Sequence, residues 1–435
     1  MPASLSLFDE LSARGFINQH SNPAIFEVYN QGSQKFYCGF DPSADSLQLG
    51  NFVMFMYAAQ FLKRGNIRYP LIGGATGMIG DPSGKDTERT ILSKDQVLHN
   101  CAQFEKQFGH LLSNLARIAN LETMEYHLVN NADFYTEMGF LDFLRDVGKY
   151  ITVNTMMNKE TVKKRITDPD KSISYTEFSY MLIQGYDFVY LRKNHNVRLQ
   201  ICGSDQWGNG VTGLELIDKI LGTNDCFVTT APLILASNGK KFGKSEGNAI
   251  WLDSTKNSPF FVHQYLLNTP DADVEKYLKL FTLYSLDEIT DIVKHHMHAP
   301  EKRQAQKILA DYLIRLIFDD ECLARIERVT PIIFGVGDVA DRLASLDRQD
   351  KQTLLDATGG CQSVSFPIRV ADLCVMAGLV SSNKEAKNDC QAGAISINDH
   401  KITDATQNID ATTCINGVLL LKKGKKTVKT VLHMM

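Results

Sequence analysis

Two lysines near residue 240 stand in a pattern that suits phosphate chemistry. Lys241 and Lys244 are three residues apart, with Gly243 between them and Ser245 directly after them. Such a loop can bring ammonium and hydroxyl groups to the negative charge that develops on a leaving phosphate. Lysine-rich loops are more often simply solvated, so the pattern gains meaning only beside other segments.

A second segment, from Tyr37 to Asn51, runs from a short apolar strand into a helix. Free backbone N–H groups at the start of a helix favour phosphate. Gly50 would let a ligand approach the backbone, and the amides of Gln48 and Asn51 can donate hydrogen bonds to a phosphate or a base. The alternative is a structural loop followed by a helix cap.

A glycine-rich stretch, residues 73–85, superficially resembles a phosphate-binding P-loop. The spacing does not match, because Ile79 rather than glycine stands five residues before Gly84. Asp86 also replaces the Ser or Thr that should follow Lys85. The stretch therefore argues against a nucleoside-triphosphate switch.

Polar residues also recur at helical spacing in an apolar stretch. Tyr180, Gln184 and Asp187 are spaced i, i+4, i+7 and would line one face of a helix. Burying them is costly unless each finds a partner, which a small polar ligand would supply. A purely structural network is the alternative. Asp205, just after a later strand, could hold a pair of ribose hydroxyl groups.

These candidates follow a strand–helix alternation over residues 1–253. It predicts an α/β fold with a Rossmann-like, doubly wound parallel sheet covered by helices on both faces. Ligands bind such sheets where strands end, which is where the candidate segments lie. The predicted strands span 36–40, 68–76, 125–130, 197–202 and 227–235, and the predicted helices span 51–63, 93–118 and 210–221.

After residue 253 the pattern becomes helical. A capping box at Ser285 and Glu288, and Pro300 in the first turn of a helix to about residue 318, predict an α-helical domain over 254–340. A linker is expected over 341–364. A small C-terminal α+β module then occupies 365–435.

Composition narrows the functional class. The chain has 435 residues, 44% hydrophobic and 22% charged, and nine cysteines without a Cys-x-x-Cys pair. Neither a signal peptide nor a transmembrane run is present, so we expect a cytoplasmic protein with reduced thiols. Residues 365–435 hold nine Lys or Arg against six Asp or Glu, a balance of +3, which leaves −7 on the rest of a chain of net charge −4. A basic end favours a polyanionic partner.

Taken together and in this order, the segments resemble the class I aminoacyl-tRNA synthetases, specifically the bacterial tyrosyl enzymes. The segment at 48–51 is similar to the family's HIGH signature, and 241–245 to its KMSKS signature. The stretches GDPSGK at 80–85, FSYMLIQGYDF at 178–188 and GSDQWGN at 203–209 are more specific. The C-terminal unit resembles a small RNA-binding module that is shared with a ribosomal protein.

The resemblance implies a role for each matching residue. The residues that would bind tyrosine are Tyr37 and Asp187 at its phenol, Tyr180, Gln184 and Asp81 at its α-amino group, and Gln206 near its carboxylate. The residues that would line ATP are Gly39, Asp41, Gly50, Asn51, Gly203, Asp205 and Lys244. The residues that would surround the leaving pyrophosphate, and so carry catalysis, are Ser43, Gln48, Lys85, Arg89, Lys241, Lys244 and Ser245.

The implied reaction activates L-tyrosine with ATP and Mg²⁺ and then esterifies tRNA(Tyr), in a homodimer. Neither a protein nucleophile nor a protein-bound zinc ion is expected. Gln48 stands where the signature normally has its first histidine, so an uncharged amide should help the pyrophosphate less than the lysines do. The histidines at 295, 296 and 298 are expected to form an exposed polar helix end rather than a metal site.

Two alternatives stay open at this point. One is the sister tryptophanyl synthetase, against which the pair Tyr37 and Asp187 argues, because it suits a phenol rather than an indole. The other is a catalytically inactive relative that only binds RNA, against which Lys241, Lys244, Asp205 and Gln206 argue. Tyrosine-dependent exchange of pyrophosphate into ATP would separate all three.

Overall fold

The computed structural model describes residues 5–83, 91–121, 124–237, 239, 242–245, 248–362, 364–424 and 427–433, with the backbone alone at 161, 244 and 245. The chain divides into two compact units. Unit 1 consists of Met1–Asp253 and Leu266–Ile317, and unit 2 of Ser254–Tyr265 and Phe318–Met435. Within the described residues, no helix is long and apolar enough to span a bilayer.

Unit 1 combines a six-stranded sheet with a small hairpin. Its strands are β1 (Gln19–His20), β2 (Lys35–Phe40), β3 (Ile67–Ile72), β4 (Val129–Asn130), β5 (Leu199–Gly203), β6 (Phe227–Ala231), β7 (Lys244–Ser245) and β8 (Asn248–Ala249). Its helices are α1 (Leu7–Arg14), α2 (Ala24–Asn30), α3 (Phe52–Leu62), α4 (Thr76–Ile79), α5 (Lys94–Ile118), α6 (Phe140–Asp146), α7 (Val153–Met157), α8 (Glu160–Ile166), α9 (Tyr175–His195), α10 (Trp207–Leu221), the end of α11 (Pro259–Leu267), α12 (Asp271–Phe281), α13 (Leu286–His298) and α14 (Gln304–Ile317).

The sheet has the strand order β1-β6-β5-β2-β3-β4. Strands β2 to β6 pair in parallel, and the edge strand β1 pairs antiparallel with β6. The chain moves from β2 outward to β4 and then returns to place β5 on the other side of β2. The predicted doubly wound sheet is thus confirmed, and its topological switch point lies between β2 and β5.

Local sequence explains the elements that frame this point. Ten of the eleven residues of α3 are buried, as expected for a helix with no polar face. Helix α5 begins where the hydroxyl of Ser93 accepts a hydrogen bond from the N–H of Gln96. Three predicted strands are shorter than expected. The strand predicted over 68–76 ends at Ile72, because the glycines that follow form a turn into α4. The strand predicted over 227–235 ends at Ala231, and the one over 125–130 pairs with β3 only at β4 and at an isolated bridge from Tyr126 to Arg68.

The helices at the end of unit 1 confirm one prediction and correct another. Ser285 and Glu288 form the reciprocal capping box at the start of α13. At the other end of α13, His295 and His298 are exposed as predicted. His296 is not, because its side chain is fully buried and its Nε2 lies 3.1 Å from a carboxylate oxygen of Asp271. The prediction of an exposed side chain is therefore wrong for His296.

Unit 2 has its own sheet and core. Its helices are the first part of α11, α15 (Asp320–Phe334), α16 (Val339–Ala344), α17 (Arg348–Thr358), α18 (Val370–Met376) and α19 (Asn383–Gln391). Its strands are β9 (Gly360–Gln362), β10 (Ile368–Arg369), β11 (Ile395–Ile397), β12 (His400–Ile402), β13 (Asn408–Ile409), β14 (Val418–Lys423) and β15 (Thr427–Leu432). Five strands form a sheet in the order β12-β11-β14-β15-β9. The expected linker over 341–364 holds α17 and β9, and the four-part functional division stays a prediction.

Candidate active site

The candidate site lies at the carboxyl edge of the sheet, around the switch point between β2 and β5. Tyr37 is in β2, and Asp41 follows that strand directly. Gly203 ends β5, and Asp205 lies in the turn that leads into α10. Parallel strands bring residues that are 160 positions apart to one edge, as the sequence pattern predicts.

Tyr37 is buried at the floor of this site. Its ring packs against Phe188 of α9, with 5.1 Å between the ring centroids. Its hydroxyl has no hydrogen-bond partner among the described residues. Burial, and next the carboxyl group of Asp187, raise the pKa of Tyr37 well above its ordinary value. The phenol is therefore a neutral hydrogen-bond donor beside a carboxyl group, and it donates to no atom of the described residues.

Asp187 is also buried, and each of its oxygens is held by one neutral group. Asn131 Nδ2 donates to Oδ2 over 2.9 Å, and the Tyr135 hydroxyl lies 2.9 Å from Oδ1. Burial raises the pKa of Asp187 to about 8, although the hydrogen bonds from Asn131 and Tyr135 oppose this rise. Two lone pairs remain for a further donor, because a carboxylate has four acceptor positions.

A chain of hydrogen bonds links Asp187 to the other polar residues of α9. Asn131 Nδ2 lies 3.1 Å from Thr76 Oγ1, and Thr76 donates to Asp41 Oδ1 over 2.7 Å. The hydroxyl of Tyr180 donates to the other oxygen of Asp41 over 2.7 Å. A Cβ atom at Gly73 would lie 2.2 Å from Asp41 Oδ1, so this close packing requires glycine there. The polar stripe on α9 is thus part of a partnered network.

A second cluster forms where residues after β3 meet the turn before α10. Gln206 Nε2 donates to Asp81 over 2.6 Å and to Asp205 over 3.1 Å. Asn209 Nδ2 bridges the side-chain oxygens of Gln206 and Gln184, at 3.0 and 2.8 Å. Burial raises the pKa of Asp81, and the charge of Asp205 adds to the rise.

The electrostatics of the site favour a cation. Asp81 and Asp187 accept hydrogen bonds from amide and hydroxyl groups, and no Lys or Arg forms an ion pair with either within the described ranges. Asp205 adds a further carboxyl group nearby. Buried carboxyl groups that lack a counterion can gain one from a ligand. A small molecule with one ammonium group would meet this need.

The start of α3 forms the other wall. Asn51 precedes α3 without capping it through its side chain. The N–H groups of Phe52 and Met54 donate to the carbonyl groups of Leu49 and Asn51, so it is the helix dipole that favours a phosphate at this end. Gln48 lies beside it, with the Gln48 N–H 3.4 Å from Asn51 Oδ1. The chain after the lysine loop packs on this segment. The N–H of Leu49 donates to the carbonyl of Ile250 over 2.8 Å, and Gln48 forms a bridge with Trp251.

Gly50 and Gly243 let the two signature segments touch. Gly243 has a φ of +78°, and a Cβ atom there would lie 2.6 Å from the N of Gly50. Phe242 is buried against Tyr277 and Phe281, at ring-centroid distances of 4.6 and 4.5 Å. The loop is thereby anchored at Phe242 while it approaches the start of α3.

Several predicted residues are placed only in part. Ser43 is exposed after β2, and its N–H donates to the carbonyl of Asp41 over 2.8 Å. Lys244 and Ser245 form β7, which pairs with β8, but their side chains are outside the described set. Lys85, Arg89 and Lys241 also lie outside the described residues.

Sequence analysis missed the residues that connect the site. Thr76 and Asn209 lie inside two of the predicted segments but were given no role, and Asn131 and Tyr135 lie in the turn after β4, outside those segments. The repeated asparagines at 130 and 131 after a strand are the one signal that could have indicated a polar turn. Residue type alone does not distinguish such residues from ordinary loop residues.

Comparison with known proteins defines the class of this site. The profile "tRNA synthetases class I (W and Y)" matches residues 29–335. The profile "Tyrosine--tRNA ligase SYY-like C-terminal domain" matches residues 356–431. The first match covers most of the chain and establishes a class I synthetase fold and chemistry.

Relatives narrow the class further. The tyrosine--tRNA ligase of Streptococcus suis is 41% identical over 97% of this chain and 98% of its own length. That of Streptococcus mutans is 42% identical over 97% and 98%. A C-terminally truncated mitochondrial tyrosyl-tRNA synthetase of Aspergillus nidulans superposes with a TM-score of 0.67, at 29% identity, over 75% of this chain and 93% of that one. The chain belongs to the tyrosine--tRNA ligase family, and its function is that of an ATP-dependent aminoacyl-tRNA ligase.

Proposed function

We propose that unit 1 activates L-tyrosine with ATP to form tyrosyl-adenylate and pyrophosphate, after which the tyrosyl group passes to the terminal ribose of tRNA(Tyr). One observation carries this proposal. The hydroxyl of Tyr37 is buried without a partner beside Asp187, which keeps free acceptor positions. A substrate phenol would accept from Tyr37 and donate to Asp187, so both buried groups would be satisfied at once.

The amino-acid backbone of the substrate would lie on the second cluster. Asp81, Tyr180 and Gln184 would hold its α-ammonium group, which supplies the missing positive charge. Gln206 would lie near its carboxylate, which is already a nucleophile. The protein therefore has no need of a covalent nucleophile, and its main contribution is alignment of the two substrates.

ATP would occupy the wall formed by the ends of β2 and β5 and the start of α3. Gly39, Gly50 and Gly203 would leave room for the nucleotide, Asp41 would line it, and Asp205 would hold its ribose hydroxyl groups. The dipole at the start of α3 favours phosphate, and Asn51 lies at that end of the helix. We propose that magnesium arrives with ATP as part of the substrate rather than as a resident ion.

The pyrophosphate would leave toward the two signature segments. Their contact through Gly50 and Gly243 supports this assignment, since it places Gln48 near the lysine loop. The cations, hydroxyl groups and amide assigned to this step are Ser43, Gln48, Lys85, Arg89, Lys241, Lys244 and Ser245. Ammonium groups stabilise the growing charge more than an amide does.

The tRNA acceptor end would reach the adenylate through a cavity of about 610 Å³ beside the site. Ser83 and Asp205 line both the cavity and the site. Lys159, Lys164 and Arg165 line the cavity and would attract a phosphate backbone. Arg165 is buried and paired with Glu177 at 2.9 Å. Lys164 pairs with Glu160 at 2.8 Å, but this ion pair is exposed, so its exchange for a phosphate costs less than breaking the buried pair of Arg165.

Unit 2 is proposed to hold the tRNA farther from its acceptor end. Of the lysines expected to contact phosphate, Lys422 pairs with Asp399 at 2.6 Å, and Lys423 pairs with Glu385 and Asp389 at 2.7 Å each. Lys425 and Lys426 lie outside the described residues. Contacts from Lys422 and Lys423 would require exchange of these ion pairs for phosphate.

A second copy of the chain is the proposed partner for an apolar surface of unit 1. Phe140 and Leu141 of α6 are 66% and 77% exposed, and Val153 of α7 is 59% exposed. Covering such a patch is favourable. Light scattering of Leu141→Asp should show monomers, whereas Leu98→Asp, at an exposed leucine of α5, should leave the dimer intact. We also propose a cytoplasmic location, which the nine free cysteines support.

The experiment that tests the function separates the two steps. Exchange of labelled pyrophosphate into ATP should require tyrosine and should not respond to tryptophan. Charging of tRNA should in addition require Lys159 and Lys164, so that the double alanine variant keeps exchange and loses charging. Absence of tyrosine-dependent exchange would refute the proposal, and tryptophan-dependent exchange would favour the sister specificity.

A further inference from the structure

Tyr135 is one of the polar residues of the site that the proposed function leaves without a role. It ends the 3-10 turn from Asn131 to Tyr135 that directly follows β4. The same turn begins with Asn131, the residue that holds the other oxygen of Asp187. A single turn of five residues therefore grips both oxygens of the carboxyl group from its two ends.

The position of the Tyr135 hydroxyl is unusual. It lies 2.9 Å from Asp187 Oδ1 and 2.8 Å from the carbonyl oxygen of Ile183, one helical turn earlier in α9. A phenol has one proton to donate, so it cannot bond fully to both. It donates to Asp187 when that carboxyl group is ionised. When Asp187 carries a proton, Asp187 donates to Tyr135, and Tyr135 donates to Ile183.

The ring of Tyr135 is held so that the hydroxyl cannot move away. Its centroid lies 5.7 Å from the ring of Tyr186 and 6.3 Å from that of Phe143. Burial, and next the charge of Asp187, raise the pKa of Tyr135 well above its ordinary value. The hydroxyl therefore stays protonated at neutral pH and remains a donor.

We propose that Tyr135 is a positioning residue for substrate specificity, which fixes Asp187 through its hydroxyl so that the carboxyl group faces the phenol of tyrosine. The inference rests on the proposed function of Asp187. Asn131 alone would hold one oxygen and leave the carboxyl group free to rotate about χ2. With Tyr135 in place, both oxygens are fixed, and the remaining lone pairs point to the space beside the hydroxyl of Tyr37.

The orientation of Asp187 by Tyr135 should affect tyrosine and phenylalanine differently. Tyrosine uses the oriented carboxyl group, whereas phenylalanine has no hydroxyl to place there. Loss of the Tyr135 hydroxyl should therefore weaken tyrosine more than phenylalanine. ATP binds at the other wall of the site and should be unaffected.

The test compares Tyr135→Phe with Tyr186→Phe in the full chain, by amino-acid-dependent exchange of pyrophosphate into ATP. Both variants keep their rings, but only the first removes a hydroxyl that is bonded to Asp187. In Tyr135→Phe the KM for tyrosine should rise about tenfold, and the preference for tyrosine over phenylalanine should fall by a similar factor. The kcat and the KM for ATP should change less than twofold. Tyr186→Phe should match the unmodified chain in all four quantities.

Two outcomes would overturn the inference. One is an unchanged ratio of tyrosine to phenylalanine in Tyr135→Phe. The other is a common loss in kcat and in both KM values together with a lower thermal midpoint, which marks a purely structural role. Asp187→Asn, measured beside them, separates the role of Asp187 from that of Tyr135. If that variant still activates tyrosine normally, the proposed role of Asp187 at the substrate phenol fails, and the inference about Tyr135 fails with it. If it loses activation while Tyr135→Phe behaves like Tyr186→Phe, only the role of Tyr135 fails.

Discussion

The two faces of the central sheet bury polar side chains in opposite ways. On one face, Tyr37 packs on α9, and the carboxyl group of Asp187 is surrounded by hydroxyl and amide groups. On the other face, the guanidinium group of Arg68 in β3 is fully buried, with no hydrogen-bond partner among the described residues. The rings of Phe55, Phe108 and Phe40 lie 5.0, 5.5 and 6.0 Å from it instead.

The comparison of the two faces indicates when a buried polar atom without a hydrogen-bond partner points to a function. The hydroxyl of Tyr37 has partnered polar neighbours and lies at the edge of the sheet where ligands bind. Arg68 donates to no hydrogen-bond acceptor among the described residues, and aromatic faces stabilise its charge only in part. The first group supports the proposal of a ligand site, whereas the second is a buried charge whose cost the aromatic rings reduce.

The largest expected effect comes from removing the centre of the polar face. Asp187→Ala should lower tyrosine-dependent pyrophosphate exchange at least about a hundredfold, because the substrate phenol would be buried without an acceptor for its proton. Asp133→Ala is the matched control, since Asp133 is exposed in the turn that holds Asp187. Near-normal tyrosine affinity in Asp187→Ala would show that the buried carboxyl group on this face does not bind the substrate, and the two faces would then not differ in function.

Tyr37→Phe should have a smaller effect, with opposite signs in two assays. Tyrosine binding, measured by calorimetry, should weaken roughly tenfold because one hydrogen bond to the phenol is lost. The thermal midpoint of the ligand-free protein should stay equal or rise, because the removed hydroxyl has no partner there. A clear fall in that midpoint would show that the hydroxyl is already satisfied and does not await a ligand.

The pH dependence of stability should sharpen the contrast further. Burial raises the pKa of Asp187 to about 8, whereas an Asp in an unfolded chain titrates near about 4. The folded chain keeps a proton that the unfolded chain releases between these values, so this contribution to stability is lost as the pH rises from about 4 through 8.

Asp187→Asn cannot titrate and should lack this dependence. The difference in free energy of unfolding between the unmodified chain and Asp187→Asn should change by more than about 1.4 kcal/mol from pH 5 to pH 8, the equivalent of one pKa unit. The measurement needs the ligand-free proteins. Parallel stability curves across that range would mean that Asp187 titrates normally.

The sequence predicted the frame of the active face well. Strands β2, β3 and β5 and helices α3, α5 and α9 carry strong apolar patterns with clear ends, such as the capping residue Ser93. The stripe of Tyr180, Gln184 and Asp187 follows from helical periodicity, and its clustering with Asp41 follows from parallel strands that share an edge.

The sequence did not predict the contacts between separate turns. Asn131 and Tyr135 reach Asp187 only because β4 adds next to β3 and ends there. The aromatic surroundings of Arg68 were equally unpredictable, because the three rings come from β2, α3 and α5. No local pattern encodes such contacts, since the partners lie up to 56 positions apart in the chain.

The smallest expected effect concerns Arg68 itself. Burial lowers its pKa to about 10, so the environment disfavours the charge but does not remove it at neutral pH. Arg68→Met keeps most of the side-chain volume and deletes the unpaired cation. The free energy of unfolding should rise by about 1 kcal/mol, because the removed desolvation penalty outweighs the lost ring contacts.

Two comparisons decide whether charge or volume governs this site. Arg68→Ala also deletes the charge but leaves a cavity among Phe40, Phe55 and Phe108, so it should destabilise the chain by about 2 kcal/mol or more. Opposite signs for the methionine and alanine variants would therefore show that packing, not charge, is what Arg68 provides. Tyrosine-dependent exchange should stay within about twofold of the unmodified rate in Arg68→Met. If that variant lost activation while remaining folded, the aromatic face would have a functional role and the contrast between the two faces would fail.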